Sequence, residues 1–523
     1  MSSKPVSEFV KTFDRKDRRK KPASAKPSAG RPIINRYNRR LRDLVKESIA
    51  ALDAANRSAI TIFQRSGALV RIKREDGAAA VEVLDADSLA LILDEAADWV
   101  IDGGKEHKVI EPHERVVRAT LKLPEYPFPN LRCIAQAPFF NAAGSLVSSP
   151  GYDKASGVFL DPVGLGALDP IPEQPSADAV RAALDYLLGE LLGEFPFATK
   201  ADQANALALL LVPFVREMIG GPVPLHVIDS PQVGTGKSLL ASVAHLIATG
   251  REAPTGVERF DQSEAHKAIT AILLEARPIV LLDNLSRHLM SGAFAAVLTS
   301  DIWSDRVLGQ SKMVTVPNRA IWIATGNNLT LSSELRRRAI EVRLDAKMER
   351  PEERASFRHP DLKAWTRANR PALVHWCLLL IRNWIASGRP KPAMKPLASF
   401  TEWSTVMGGI LGAASVEGFL ANAESFRERA DPEAHDWRRF VEEWLAAHGT
   451  TPVSTEEIAP IAQGLMPELL GSGNEHSQRI RLGRALGKRV GQIIADHQIE
   501  AADVHDAEGR ARRGYRLARA GER

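Results

Sequence analysis

The sequence predicts a multidomain α/β protein built around a parallel-sheet core, and three observations lead to this fold class. The first is a strand, a glycine-rich loop and a helix in direct succession over residues 224–250. The second is a pair of later apolar strands that each lead into polar residues. The third is the length of 523 residues, which exceeds what one hydrophobic core supports and predicts about two to four domains.

Composition excludes several classes of protein. Hydrophobic residues make up 44% of the chain, enough for the cores of a globular protein. Cys133 and Cys377 are the only cysteines, too few and too far apart for a disulfide framework or a zinc site, so we expect small buried side chains. No apolar stretch reaches the roughly 18 residues of a membrane span, and the N-terminus lacks the apolar segment of a signal peptide. We therefore expect a cytoplasmic protein without a membrane partner.

Composition and hydrophobic periodicity divide the chain into five segments. Residues 1–30 combine Lys and Arg with Pro, Ser and Ala and predict a disordered basic tail. Residues 31–175 show a helical pattern followed by alternating strands and predict an α+β domain, to which the residues alone assign no function. Residues 176–350 hold the α/β core, residues 351–449 predict a helical segment, and residues 450–523 predict a winged helix. In the helical segment we expect four tryptophans to pack in a core rather than stack on bases: Trp365, Trp376, Trp384 and Trp403.

The glycine-rich loop has the pattern of a phosphate-binding loop (P-loop). Gly234 and Gly236 allow backbone N–H groups to turn inward around phosphate oxygens, and Lys237 reaches the outer phosphates. The hydroxyl of Ser238, at the start of the helix, can ligate magnesium. The strict pattern has glycine where this chain has Pro231, so the match is imperfect. The loop predicts ATP and Mg²⁺ as ligands, and the nucleotide-binding set is Gly234, Thr235, Gly236, Lys237 and Ser238.

A second apolar strand leads into Asp283, which is placed to hold the magnesium ion together with Ser238. An ordinary buried strand capped by aspartate is the alternative, and the preceding P-loop favours the metal site. The next residue is Asn284, whose amide cannot take a proton at neutral pH as a general base does. Either another carboxylate substitutes, with Asp261 or Glu264 as candidates, or hydrolysis is slow.

A third apolar strand, residues 320–324, is followed by Thr-Gly and two asparagines. Asn327 is our choice for a side chain that contacts the γ-phosphate or its attacking water, and Asn328 is the second choice. Two turn-forming asparagines are the alternative. A basic cluster then precedes a further strand, and Arg337 and Arg338 are the candidates for a guanidinium that reaches the ATP of a neighbouring subunit. A solvated basic turn is the alternative for this cluster.

Together these motifs resemble the compact AAA+ core of superfamily 3 helicases, and they look most like the helicase half of phage-type and poxvirus-type primase-helicases. The likeness spans residues 31–517 and includes GQSKMVTVPNRAIWIATGNN and LRRRAIEVRLD. It implies an AAA+ P-loop NTPase core and an ATP-dependent DNA helicase that acts in replication of a phage, plasmid or integrative element. It further implies single-stranded or forked DNA as partner, a homo-oligomeric ring of six subunits, and separate primase or replication proteins. Primase activity is not carried over, because the segment before the α+β domain lacks the carboxylates of a primase site.

The resemblance also implies a hairpin before the third strand that carries a basic residue into a central channel to grip DNA. Residues 306–316 are typical of two strands joined by a glycine-containing turn. Lys312, near the tip, is the first candidate for a phosphate contact, and Arg306 is the second. A surface lysine without a role is the alternative.

Residues 451–517 predict a helix-turn-helix followed by a wing. A capping box at Ser454 or Thr455 begins the first helix, and a polar turn at residues 506–509 separates two extended pieces. The second helical stretch, residues 475–494, offers five apolar residues to a core: Ile480, Leu482, Leu486, Val490 and Ile493. Its basic residues are candidate DNA contacts: Arg479, Arg481, Arg484 and Lys488. A protein-binding winged helix is the alternative.

Three functions are compatible with these motifs. The favoured one is an ATP-driven DNA helicase or translocase. The second is an AAA+ replication initiator or helicase loader that binds DNA and ATP without unwinding, which Asn284 keeps open. The third is a structural or regulatory DNA-binding protein with a vestigial ATP site, which the presence of Lys237, Ser238, Asp283 and Asn327 disfavours.

Overall fold

The computed structural model describes residues 30–57, 60–75, 77–104, 107–162, 164–254, 264–285, 288–306, 313–429, 432–505 and 511–520. By its contacts the chain divides into two units, one up to Leu131 and one from Arg132 onward, with residues 76–78 grouped with the second. The segment of residues 31–175 that the sequence assigned to one domain therefore extends across this division. None of the described helices is long and apolar enough to cross a membrane.

The first unit combines helices with two small sheets. The elements are β1 (Ile33–Asn35), α1 (Leu41–Asn56), β2 (Ile62–Arg65), β3 (Ala68–Glu75), β4 (Ala78–Val83), α2 (Ala86–Ala96), β5 (Asp98–Asp102), β6 (His107–Val109) and α3 (Glu114–Thr120). The strands form the sheets β1-β5-β6 and β2-β3-β4. The core of this unit includes Leu52, Leu89 and Trp99, which are fully buried.

The second unit begins with short strands and two helices that lead into the core. The strands are β7 (Cys133–Ala135), β8 (Phe139–Phe140), β9 (Leu146–Val147), β10 (Gly151–Asp153) and β11 (Val158–Leu160). Helix α4 (Ala177–Leu184) continues as a π-helix over Asp185–Leu191. Helix α5 (Lys200–Val215) begins at a capping box formed by Thr199 and Asp202, and apolar side chains on all of its faces are buried.

A parallel sheet forms the centre of this unit. The elements of this region are β12 (Leu225–Ser230), α6 (Lys237–Thr249), α7 (Ala265–Leu274), β13 (Ile279–Leu285), β14 (His288–Leu289), α8 (Gly292–Val297), β15 (Ile302–Arg306), β16 (Met313–Pro317), β17 (Ile321–Asn327), β18 (Thr330–Leu331), α9 (Ser333–Arg336) and β19 (Ala339–Arg343). The strand order in the sheet is β13-β17-β12-β19. Both faces of the sheet are covered, because successive residues of β12, such as Val227 and Ile228, pack into different hydrophobic clusters. The mixed α/β fold with a parallel sheet that the sequence predicted is therefore present.

A helical segment follows the sheet: α10 (Leu362–Ala368), α11 (Arg370–Ala386), α12 (Thr401–Ala413), α13 (Ala423–Arg429) and α14 (Pro432–His448). Trp384 and Trp403 lie in the core that α5, α6 and α11 share, and Trp365 and Trp376 pack against it while partly buried. The four tryptophans therefore contribute to packing.

The chain ends in three helices and an antiparallel sheet: α15 (Thr455–Leu465), α16 (Pro467–Leu470), α17 (Glu475–Arg489), β20 (Ile493–Ile494), β21 (His497–His505) and β22 (Ala511–Arg519). Ser454 caps α15 in a capping box with Glu457. The predicted polar turn at residues 506–509 lies outside the described residues.

The apolar core predicted for the second C-terminal helix was partly wrong. Leu482 and Leu486, four residues apart on one helix face, are fully buried. Ile480 is 43% exposed, because it lies two residues before Leu482 and so points away from that face. Val490 and Ile493 are 40% and 62% exposed, because α17 ends at Arg489 and the helical periodicity does not reach them.

Candidate functional site

The carboxyl ends of three neighbouring strands meet at one edge of the parallel sheet. The P-loop follows β12, Asp283 lies near the end of β13, and Asn327 ends β17. Since β17 lies between β13 and β12, its terminal residue is placed between the loop and the aspartate. The structure thus brings together the side chains that the sequence singled out at the ends of separate strands.

The P-loop has the backbone geometry of an anion-binding loop. Gly234 and Gly236 have φ angles of 75° and 95°, in the left-handed region that glycine adopts without a steric cost. Gly236 precedes α6 and no side chain caps this helix, so the N–H groups of the first turn are available to phosphate oxygens. The loop therefore fits a phosphate group.

Lys237 is directed into the site. Its Nζ donates to Oδ1 of Asn327 at 2.7 Å and to Oγ of Ser230 at 2.6 Å. It makes longer contacts with the carbonyl of Gln232 and the hydroxyl of Thr235. Burial lowers the pKa of the Lys237 ammonium, and the charges of nearby carboxylates oppose this shift.

Oxygen ligands suited to a magnesium ion lie next to the loop. Oγ of Ser238 donates to Oδ1 of Asp283 at 2.7 Å, so the two candidate ligands are in direct contact. The hydroxyl of Thr325, on β17, donates to the same carboxylate oxygen at 2.5 Å. Carboxylate and hydroxyl oxygens are hard donors of the kind that Mg²⁺ prefers, so the residues present fit this ion.

Asn284 lies in a β-bulge. The register between β13 and β17 shifts between Leu282 and Leu285, and Asn284 has a φ of 53°. Asparagine tolerates this left-handed conformation better than most residues. Its backbone N–H donates to Oγ1 of Thr325 at 2.8 Å, and the residue is exposed. The bulge gives Asn284 a structural reason to be asparagine, which the sequence did not reveal.

Of the two alternative carboxylates, Asp261 lies outside the described residues. Glu264 precedes α7 and accepts a hydrogen bond from Lys267 at 2.9 Å.

Asp229 ties the loop after β17 to the strand that carries the P-loop. Its Oδ1 accepts from the N–H of Leu329 at 3.0 Å, and its Oδ2 accepts from Arg343 at 2.9 Å. Asn328 has a φ of 47° and its N–H donates to the carbonyl of Ser230 at 3.0 Å. The backbone of Asn328 is therefore part of the loop's support, whereas the side chain of Asn327 faces Lys237.

An apolar pocket of about 230 Å³ adjoins the P-loop. A Cβ atom at Gly236 would lie 3.4 Å from the ring of Phe195, and one at Gly234 would lie 2.9 Å from Oε2 of Glu352. The π-helix contributes to this region, since Glu190 accepts a hydrogen bond from His359 at 2.7 Å. The residues that define the apolar pocket are Leu191, Phe195, Leu239, Pro351, Phe357 and Leu362. They could not be found from the sequence, because they lie far apart in the chain and share no pattern.

The arginines after β18 differ in their surroundings. Arg338 donates from Nη1 to the carbonyl of Glu334 at 2.8 Å, so its guanidinium is held against its own turn. Arg336 is 8% exposed. Arg337 is exposed, and among the described residues it has no hydrogen-bond or ion-pair partner. Of the two predicted candidates, Arg337 is therefore the one whose guanidinium is not engaged by the described residues.

In the region where the resemblance implied a hairpin, β15 and β16 pair antiparallel, with residues 302–306 opposite residues 313–317, and the predicted turn lies outside the described residues. Arg306 is exposed and lies opposite Met313 in this pair. Lys312 lies outside the described residues. Asp305 accepts a hydrogen bond from Thr270 at 3.0 Å, which links the hairpin to α7.

The four basic residues predicted as DNA contacts on α17 fall into two groups. Arg479 pairs with Glu456 at 2.6 Å, and Arg481 donates to the hydroxyl of Ser477 at 3.1 Å. Arg484 and Lys488 are exposed and have no such partner in the part of the chain that the structure describes.

A parallel sheet with a phosphate-binding loop after an inner strand is consistent with a P-loop NTPase core. No protein-family model and no curated protein matches the chain, but several solved structures are similar to it. The C-terminal region of NrS-1 has a TM-score of 0.40 at 13% identity over 90% of this chain and 99% of that one.

Two further solved structures are helicases by their descriptions. The SCCmec type IV Cch active helicase has a TM-score of 0.31 at 10% identity, over 87% of this chain and 97% of that one. The JCV helicase, bound to a small synthetic compound, has a TM-score of 0.19 at 12% identity, over 49% of this chain and 72% of that one. At TM-scores of 0.40 or below, these likenesses assign no function to this chain.

Proposed function

We propose that this protein is an ATP-dependent DNA helicase or translocase, an ATPase of the AAA+ superfamily 3 type. The observation that carries the proposal is the pair of contacts at the sheet edge, in which Lys237 meets Asn327 while Ser238 meets Asp283. A P-loop lysine, a metal-binding pair and a polar residue at the tip of the neighbouring strand are the groups that hydrolysis of a nucleoside triphosphate requires.

The residues divide the chemistry among them. The N–H groups of the P-loop and the ammonium of Lys237 hold the phosphates and offset their negative charge. Ser238 and Asp283 would hold Mg²⁺, which when bound neutralises charge on the β- and γ-phosphates. Asn327 positions the γ-phosphate or its attacking water, because its amide can both donate and accept hydrogen bonds.

The apolar pocket is placed to receive the nucleotide base. The P-loop forms one of its walls, so a nucleotide whose phosphates occupy the loop has its base within reach of Phe195 and Phe357. Aromatic and aliphatic side chains favour a planar base over water. Phe195→Ala is expected to raise KM for ATP roughly 10-fold, the equivalent of about 1.4 kcal/mol, with a smaller change in kcat.

DNA contact and assembly complete the proposal. The hairpin of β15 and β16 grips the strand through Lys312 and Arg306, and the C-terminal module is a winged helix that contacts DNA. Arg337, with Arg338 as second choice, reaches the ATP of the next subunit in a homo-oligomeric ring of six. The protein acts in the cytoplasm, in replication of a phage, plasmid or integrative element and beside a separate primase.

The test is displacement of a labelled strand from a forked DNA duplex with ATP and Mg²⁺. We expect displacement by the intact protein and none by Lys237→Ala, which should still bind DNA. Asn284→Asp introduces a proton acceptor at a position whose left-handed backbone aspartate tolerates, and it should retain or raise the ATPase rate. An intact protein that hydrolyses ATP and binds DNA but never displaces a strand would refute the helicase assignment.

A second candidate function is an initiator or loader that uses ATP for assembly on DNA. The observation that favours it is Asn284, an exposed amide beside Asp283 where a catalytic carboxylate would be expected. ATP-dependent assembly on duplex DNA without displacement, alone or with a candidate replicative helicase, would favour this function.

A further inference from the structure

A cleft of about 790 Å³ opens in the C-terminal module between helix α17 and strand β22. Residues of α17 form one wall, residues of β22 form the other, and residues at the start of α15 also line the cleft. We define the basic cleft by Gly483, Arg484, Gly487, Lys488, Arg512 and Arg513.

We infer that the basic cleft binds the phosphate backbone of double-stranded DNA without regard to base sequence. The inference rests on the proposed function in taking DNA as the ligand. It goes beyond that function in assigning duplex rather than single-stranded DNA to this module, and in adding the strand β22 to the binding site.

Positive charge lines both walls of the basic cleft. Arg484 and Lys488 lie one helical turn apart on α17, and both are exposed without an ion-pair partner among the residues that the structure describes. Arg513 is exposed on β22 and lies 5.7 Å from the ring centre of Tyr515. The acidic residue at the rim, Glu456, is engaged by Arg479. The cleft therefore keeps an excess of positive charge, which attracts a phosphate backbone.

Two glycines lie on the α17 side of the basic cleft. Gly483 and Gly487 lie inside α17, where glycine destabilises a helix relative to alanine. Packing does not require them, because a Cβ atom would lie 3.5 Å from Thr455 at Gly483 and 3.7 Å from Tyr515 at Gly487. These are ordinary contact distances. Glycine at both positions therefore keeps this stretch of α17 free of its own side chains beside Arg484 and Lys488.

One buried tyrosine fixes the spacing of the two walls. The hydroxyl of Tyr515, on β22, donates to the carbonyl of Gly483 on α17 at 2.8 Å. Tyr515 is 2% exposed, so its ring lies within the module and offers no face to a base. The walls are therefore held at one separation before any ligand binds.

The side chains that line the basic cleft favour binding of a duplex over binding of a single strand. Proteins that bind single strands without sequence preference stack successive bases on exposed aromatic rings, and the aromatic ring of Tyr515 is covered. A helix with an adjacent antiparallel strand pair has the dimensions that fit a duplex groove and the backbone beside it. Arginine and lysine on both walls then contact phosphates.

The test measures binding of the full-length protein to fluorescently labelled DNA by anisotropy, without nucleotide. A short duplex is compared with one of its strands at several salt concentrations.

The variant is the triple substitution Arg484→Ala, Lys488→Ala and Arg513→Ala. We expect its duplex affinity to fall at least 10-fold. The slope of log K against log[salt] should decrease by about 2 to 3, roughly 0.9 for each phosphate that the variant no longer neutralises. Binding of the single strand should change much less.

The matched control removes the same charge elsewhere. Arg57→Ala, Arg118→Ala and Arg181→Ala replace exposed arginines that lie outside the cleft in surface ion pairs. This control should leave duplex affinity within about 2-fold of the original, and thermal unfolding of both triple variants should match that of the intact protein. A second variant, Gly487→Glu, places a carboxylate in the cleft. It should weaken binding of the duplex but not binding of the single strand.

The outcomes separate this inference from the proposed function. Unchanged duplex affinity in the cleft variant, or an equal loss for duplex and single strand, would overturn the inference. Failure of the intact protein to hydrolyse ATP or displace strands would refute the proposed function. If the proposed function fails in this way, duplex binding by Lys237→Ala that depends on the basic cleft would still support the inference, because the binding assay requires no ATP.

Discussion

Nζ of Lys237 donates a hydrogen bond of 2.7 Å to Oδ1 of Asn327, so the first residue of α6 contacts the last residue of β17. The amide of Asn327 thus contacts the ammonium that, under the proposed function, meets the outer phosphates of ATP. Under the same proposal Asn327 acts on the γ-phosphate or its attacking water, so the two residues share one role.

Asn327→Ala should reduce the ATPase rate roughly 100-fold, because loss of a single positioned polar group at a developing charge costs about this much. Binding of ATP, measured with a fluorescent analogue, should change far less. The control is Asn328→Gly, which keeps the left-handed backbone of that residue and should retain most of the activity. Loss of activity in Asn328→Gly but not in Asn327→Ala would make Asn328 the residue that senses phosphate.

Thr325→Val should weaken the metal site and lower stability. The hydroxyl of Thr325 donates to Asp283 and accepts from the N–H of Asn284, and valine can do neither. Loss of a hydrogen bond to the N–H of Asn284 costs roughly 0.5–1.5 kcal/mol, and loss of a group that orients a metal ligand lowers metal affinity about 10- to 100-fold. Urea unfolding and the Mg²⁺ dependence of the ATPase rate measure the two effects. Thr325→Ser keeps the hydroxyl and should behave like the intact protein.

Arg337→Ala should reduce the ATPase rate roughly 1000-fold if its guanidinium completes the site of a neighbouring subunit. Mixing this variant with Lys237→Ala, which has an intact Arg337, should restore part of the activity, because each mixed interface can combine a working P-loop with a working arginine. Activity is measured across a series of mixing ratios. Arg338→Ala, whose parent side chain is held by Glu334, should lose less. Rescue seen with Arg338→Ala in place of Arg337→Ala would reverse the assignment.

Glu341 should make stability depend on pH. Burial raises the pKa of its carboxyl to about 7, although Arg429 and Arg343 oppose the shift. Between its ordinary pKa near 4.5 and pH 7, the folded state keeps a proton that the unfolded state has released. The resulting contribution, about 3 kcal/mol, is complete below about pH 4.5 and is lost as the pH rises through 7.

Comparison with Glu341→Gln isolates this effect. Glutamine has the shape of the protonated carboxyl and does not titrate. The Tm of the intact protein, relative to that of Glu341→Gln, should therefore fall between about pH 5 and pH 7 and level off by about pH 8. A difference that stays constant, or that grows with pH, would show that Glu341 is ionised throughout this range.

The sequence was sufficient for the parts of the site that depend on neighbouring residues. The glycines of the P-loop, Lys237 and Ser238 lie within five positions of one another, and their residue types define their chemistry. Asp283 and Asn327 could be proposed because each lies near the end of an apolar strand. That they lie against Ser238 and Lys237 follows from the parallel order of the sheet, since parallel strands present their carboxyl ends at one edge.

The apolar pocket could not be predicted in this way. Phe195 precedes the sheet and Phe357 follows it, and no local period links them. The basic cleft is similar, because Arg513 joins Arg484 and Lys488 only when β22 packs beside α17. The error at Val490 and Ile493 arose because the helical period was continued beyond Arg489, past the turn that ends α17.

By itself the sequence determined the predicted order of the elements and the residues of the P-loop, because backbone periodicity and glycine conformations are local properties. The tertiary structure decided which side chains share a contact. The bulge that turns Asn284 into a left-handed conformation, the hydroxyl of Thr325 that links it to Asp283, and the burial of Glu341 all arise from strands distant in the chain. Hydrogen-bond partners and desolvation depend on what packs nearby, and only the folded chain brings those groups together.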